Sequence, residues 1–234
     1  MKKKFISAIG ITLLAGISTV NAQTTLRVRD IIDPNHSGTY DRNRIMDGKK
    51  SLIEGTPYAN AKYEAGSIAG VQDLLMMRYN AVADEIEIQD NDEKTYILPK
   101  KEEFNLVDFK MTKIKYRLLN YINPKDQSVF GYLAELGNAN GAALLKRENI
   151  KLQEGTEAAN SYDMDRPAKY IKGKPDFYLQ QKDKKVIPFP KSKKALQDLY
   201  PAQKDAINAF FKANDYSFKE ENDMKAITNF IGTL

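Results

Sequence analysis

At 234 residues and a formal net charge of +5, the chain has material for one well-buried domain, or one domain with a smaller appendage. It contains no cysteine, which excludes disulfides, thiolate metal sites, cysteine nucleophiles and a diacylglyceryl lipoprotein anchor. The 36 basic residues less Lys2, Lys3 and Lys4 leave 33 against 31 acidic ones, and a net of +2 gives the rest of the chain no global reason to seek nucleic acid.

Those three lysines open residues 1–22, where the apolar stretch Phe5 to Val20 follows and Val20-Asn21-Ala22 precedes Gln23. A basic start, a short apolar run and small residues at a cleavage point are the layout of a secretory signal peptide. The run is too short and too rich in Gly, Ser and Thr for a stable membrane span, and no later stretch is long enough to span as a helix. The sequence therefore predicts an exported chain beginning at Gln23, periplasmic or secreted and not a lipoprotein.

Residues 23–50 read as an irregular N-terminal arm, with turn signals at Asp33-Pro34-Asn35-His36-Ser37-Gly38 and Asp47-Gly48. His36 is the one histidine, and a lone histidine in a turn reads as a surface residue. A β-rich domain is expected over 51–190. Asp84 to Gln89 alternates charge with isoleucine, which predicts a strand with one wet face, returning through Asp90-Asn91-Asp92-Glu93 into Lys94 to Leu98. In Lys113 to Leu119, Ile114, Tyr116 and Leu118 share one face and Lys113, Lys115 and Arg117 the other. Ser128 to Leu136 and Ala142 to Leu152 flank a Gly137-to-Gly141 turn, and Phe177 to Gln181 and Lys185 to Phe189 flank Lys182-Asp183-Lys184. Short strands joined by short turns predict an α+β fold: an antiparallel meander forming a curled sheet or open barrel, followed by two or three C-terminal helices.

The helices fall in a segment over 191–234. Helical spacing runs through Ser192 to Leu199, and through Ala202 to Ala213 with Ala206, Ile207, Phe210 and Phe211 as its stripe. Pro201 suits a first turn, Ser217 with Glu220 fits a capping box, Met224, Ile227, Phe230 and Ile231 form a last stripe, and Gly232 reads as its stop.

No catalytic or cofactor motif is present, and no metal site is predicted. The acidic run from Asp84 to Glu93 lacks the glycine and terminal glutamate of a calcium loop and reads as a solvated strand face and hairpin tip. Lys182, Lys184, Lys185, Lys191, Lys193 and Lys194 form a candidate interaction surface, read either as peripheral contact with an anionic membrane surface or as a wet hairpin tip and helix start. The 13 tyrosines and 10 phenylalanines read as core packing, or as the walls of a concave apolar ligand site.

Gly55-Thr56-Pro57-Tyr58, then Arg78-Tyr79-Asn80 and Asp84-Glu85-Ile86-Glu87, together with the Lys-rich end from Lys191 to Glu221, resemble a group of exported Bacteroidota proteins. The resemblance spans about Ser51 to Phe230 and implies export and continuity of fold, with no activity to carry over. It makes Arg78, Tyr79, Asn80, Asp84 and Glu85 a candidate motif, or else the mark of a strand pair with Asn80 in a turn and Arg78 salt-bridged to an acid. The expectation is a non-enzymatic interaction or structural module of the cell envelope, with no cofactor and an envelope protein or amphiphile as partner. The alternatives are a carrier of a lipid or other apolar small molecule, and a hydrolase of envelope polymers.

Overall fold

The computed structural model describes residues 53–156 and 166–234. The expected signal peptide, His36 and the expected arm over residues 23–50 lie outside the described residues. Ten strands form one antiparallel sheet: β1 (Glu64–Ile68), β2 (Leu75–Asn80), β3 (Glu85–Gln89), β4 (Thr95–Ile97), β5 (Leu106–Phe109), β6 (Lys115–Ile122), β7 (Ser128–Ala139), β8 (Ala142–Arg147), β11 (Asp176–Gln180) and β12 (Val186–Pro188). Two more, β9 (Ile150–Gln153) and β10 (Lys169–Lys172), pair as a separate ribbon. The helices α1 (Lys193–Leu199), α2 (Lys204–Ala213) and α3 (Glu221–Thr233) follow.

The sheet is antiparallel and open, as the sequence pattern implies, but its order β12-β11-β8-β7-β6-β5-β1-β2-β3-β4 joins two meanders. β5 pairs with the free edge of β1, Gly66 opposite Phe109, instead of continuing outward from β4. Curling is visible in the ring contacts. Tyr79 on β2 and Tyr132 on β7 stand four strand spacings apart, ~19 Å in a flat sheet, yet their ring centroids are 6.2 Å apart. Tyr121 on β6 and Tyr178 on β11 are three spacings apart and their rings meet at 4.9 Å.

The two curls close over opposite faces. Tyr116 and Leu118 on β6 point into the first core with Met77, Ile86, Ile88, Val107 and Tyr132. Tyr121, three residues beyond Leu118 and so on the opposite face, joins Leu133, Ala143, Leu145, Tyr178 and Val186 in the second. The helices cover the back of that second curl, where Ala142, Leu144 and Leu179 meet Leu196, Ile207, Met224, Ile227 and Ile231.

Several local expectations change. Lys113 lies in the turn before β6, with φ 58°, so the charged face of that strand is Lys115 and Arg117. The run Ala142 to Leu152 breaks at Glu148-Asn149 into β8 and β9. β7 continues to Ala139 past a bulge between Glu135 and Gly137, and the reversal is the two-residue turn Asn140-Gly141, with φ 49° and 88°. Pro201 opens a 3-10 turn (Pro201–Gln203) that leads into α2. The capping box is absent: α3 starts at Glu221 from Glu220 without a side-chain cap, the Ser217 hydroxyl accepts from Lys219 N, and Asp223 accepts from Ser217 N.

Gly232 does not stop α3, which runs on to Thr233. Its role is close approach, because a Cβ there would collide with the backbone carbonyl of Ala139 at the end of β7. Gly232→Ala is therefore expected to lower stability by about 1–3 kcal/mol through overpacking, measured by chemical denaturation. A neutral result would mean that α3 does not seat against β7 as described.

Candidate functional site

Three polar clusters stand out, and the motif residues are divided among them. On β2, successive side chains alternate, so Arg78 and Asn80 leave one face and Tyr79 the other. Arg78 meets Glu87 on β3 directly across the register, with Nε donating at 2.9 Å and Nη2 at 2.8 Å from the same carboxylate oxygen. Asn80 Nδ2 donates to Glu87 at 3.2 Å, while the Tyr58 and Tyr63 hydroxyls donate at 3.3 and 3.4 Å. The Arg78 guanidinium lies 3.6 Å from the ring centroid of Tyr58 and 4.2 Å from that of Tyr63. Glu87 is 0% exposed. The wet face expected for this strand is thus covered at its centre, because the segment before β1 carries two tyrosines over it.

Asp84 is the second centre, 7% exposed and left-handed at φ 58°. Asn80 Oδ1 accepts from Val82 N and Ala83 N and so tightens the β2–β3 turn that presents it. Asp84 receives Lys100 Nζ at 2.6 Å, Tyr79 OH at 2.8 Å, Arg147 Nη1 at 3.1 Å and Tyr132 N at 3.2 Å. Arg147 also donates to Tyr121 OH at 3.0 Å. Asp84 therefore joins the first core, through Tyr79, to the second, through Arg147 and Tyr121. Gly131 leaves room for it, since a Cβ at that position would collide with the Asp84 carboxylate. Glu85 faces Asn80 in the register.

The third is a surface cleft of about 260 Å³ at the mouth of the first curl. Glu64, 5% exposed, is fixed there by Met111 N at 3.1 Å, Thr112 N at 2.8 Å and the Thr112 hydroxyl at 2.9 Å. Glu148 stands on the same cleft, paired with Lys146 at 3.0 Å and Lys172 at 3.5 Å.

The lysine surface is not one patch. Lys182, Lys184 and Lys185 belong to the β11–β12 hairpin tip, whereas Lys191, Lys193 and Lys194 follow the far end of β12 at the start of α1. Lys182 and Lys191 line two different clefts. In the acidic run, Asp90 Oδ1 accepts from Asp92 N and Lys94 N and so shapes the turn. Among the described residues no three His, Cys, Asp or Glu side chains gather as a metal-binding group. Lys100, Arg147, Tyr58, Tyr63, Glu64 and Glu148 were not legible as site residues, since each meets partners far from it in the chain.

Burial raises the phenols of Tyr79, Tyr116, Tyr132 and Tyr178 above their ordinary value, with nearby carboxylates Asp84, Glu148 and Asp176 adding to the effect. Proton retention by the folded form leaves stability intact below about pH 10 and lowers it as pH climbs past that point. In an alkaline titration, the ionisation of these phenols is expected to coincide with loss of the β-sheet circular dichroism. Full tyrosinate absorbance in a still-folded chain would contradict this.

The chain matches no protein-family model, no curated protein and no solved structure. The reading of its function therefore rests on the residues themselves.

Proposed function

We propose that the chain is an exported, non-enzymatic interaction or structural module of the bacterial cell envelope. Export rests on residues 1–22. The observation that carries the rest is how the interior is used. The concave side of the first curl is filled by Met77, Ile86, Ile88, Val107 and Tyr132, each 0% exposed, which leaves an apolar ligand no lumen there. The buried carboxylates Asp84, Glu87 and Glu64 are each held by three or more donors, an arrangement that suits positioning better than acid–base exchange.

The surfaces narrow in the same direction. Tyr79, Tyr116, Tyr121, Tyr132 and Tyr178 are at most 4% exposed and so offer no aromatic face to a partner. The edge strands β4 and β12 have three residues each, and β12 ends in Pro188, so both are poor templates for strand addition. The two lysine groups remain, and they suit an envelope protein or amphiphile with negative charge. Protein isolated from envelopes without detergent, then solvent-extracted for mass spectrometry, separates this reading from a carrier. The proposal expects any co-isolated lipid to be anionic and to be released at high salt; one lipid per chain retained at high salt would replace it with the carrier.

A further inference from the structure

The ten-stranded sheet ends in strands of three residues, but the ribbon of β9 and β10 has a longer edge. One side of β10 is taken by Glu54, whose N–H donates to Ala168 O at 2.9 Å and whose carbonyl accepts from Tyr170 N at 2.9 Å. Tyr170 therefore turns its amide away from β9. Leu152 stands opposite it in the antiparallel register and so turns its own N–H and C=O away from β10. Gly173 N donates to Asn149 O at 2.7 Å, which sets the same alternation from the other end. Among the described residues β9 pairs with no strand but β10, so this edge is open. Ile150 and Tyr170 pack against the first core and hold the ribbon in place.

Beside the open edge lies a groove of about 470 Å³. Leu152 and Ile171 line it at 37% and 44% exposure, so its apolar walls face solvent. Lys151 and Lys174 line it as well, and no carboxylate does. Asn149 Nδ2 pins one end by donating to Lys174 O at 2.8 Å and to the Asp176 carboxylate at 3.0 Å. The two strands add Lys169 and Lys172 and no acid, and Lys172 is already paired with Glu148. These charges select among occupants. A second copy would set lysines against lysines, and the chain's own residues 23–52 carry six basic side chains against four acidic ones. A lipid has no use for an open strand edge, whereas an extended peptide bonds to one along its backbone.

From this geometry we infer that β9 is a strand-addition site for an extended acidic peptide segment of another protein. The segment pairs with Leu152 through its backbone, seats an apolar side chain against Leu152 and Ile171, and sets carboxylates against Lys151 and Lys174. The inference adds a second surface to the envelope-module reading without resting on the lysine groups named there. A partner cross-linked through Lys182 or Lys193 would uphold that reading even where no peptide joins β9.

The test is a chemical-shift titration of the full chain with a blocked peptide, about seven residues long so as to span the edge, that alternates valine and aspartate. Its comparators are the same peptide with lysine for aspartate, the acidic peptide N-methylated along its backbone, and phosphatidylglycerol vesicles. Saturable shifts at the Lys151, Leu152, Gln153 and Ile171 amides are expected from the acidic peptide and from neither the lysine peptide nor the vesicles. N-methylation is expected to weaken binding about fivefold or more, as for at least one lost hydrogen bond. Leu152→Pro is expected to keep the fold, because proline is tolerated where an edge-strand amide faces solvent, and to abolish the shifts. Lys151→Gln, at an exposed position, is expected to weaken binding about threefold and serves in its place if Leu152→Pro does not fold. No saturable shift from the acidic peptide, equal shifts from the lysine peptide, indifference to N-methylation, a response to vesicles alone, or unchanged affinity in the folded variant would overturn the inference. So would shifts of the same amides on dilution of the protein alone, which would mark pairing between copies instead.

Discussion

Arg78→Met is expected to destabilise the protein by about 3–5 kcal/mol, a large part of the roughly 5–15 kcal/mol that holds a domain folded. The reason lies in what is left behind. Glu87 is 0% exposed, and Arg78 supplies the cation that offsets its charge. Tyr58, Tyr63 and Asn80 still hydrogen-bond the carboxylate, but these neutral donors do not replace the charge that Arg78 contributes. Arg78 also lies over the Tyr58 and Tyr63 rings, so the segment that closes this face loses its anchor. Adding Glu87→Leu is expected to recover much of the loss, because an apolar pair avoids the desolvation that a buried carboxylate suffers once its arginine is gone. Urea denaturation of the single and double variants reads both effects. A double variant no better than the single would show that the pair is not buried together.

Asp84→Asn is the second large effect, at about 2–3 kcal/mol. Asparagine tolerates the left-handed backbone at this turn, so the change isolates the charge from the conformation. The expected loss is smaller than at Glu87 because Lys100 and Arg147 keep 31% and 22% of their side-chain exposure and recover part of their hydration. Asp84 links the two cores, so amide exchange is expected to quicken both near Tyr79 and near Tyr121. Quickening on one side alone would mean that the two curls are not coupled through this carboxylate.

The fold was legible where the pattern is local. Period-two alternation marked β3, β6 and the hairpins, and period-3.6 stripes marked α2 and α3, because both record a single face turned to a core. The insertion of β5 beside β1 was not legible, since alternation assigns faces and leaves neighbours open. Gly232 misled because a glycine that ends a helix and one that admits a neighbouring backbone are the same letter. The site was legible least of all. Arg78, Asn80 and Asp84 were singled out together, yet the alternation of β2 sends them to different centres. Glu87 looked solvated because its coverage comes from Tyr58 and Tyr63, more than twenty residues earlier. The six lysines looked like one patch because the length of β12 is invisible in a list of charges.

The most direct test of the envelope-module account is a cross-linked capture of the tagged protein from native envelopes, analysed for proteins and lipids together. The account predicts a stoichiometric envelope protein or anionic amphiphile cross-linked through Lys182, Lys184 or Lys185, or through Lys191, Lys193 or Lys194. Recovery of the chain alone, coupled with cleavage of an envelope polymer by the purified protein, would contradict it and establish the hydrolase instead.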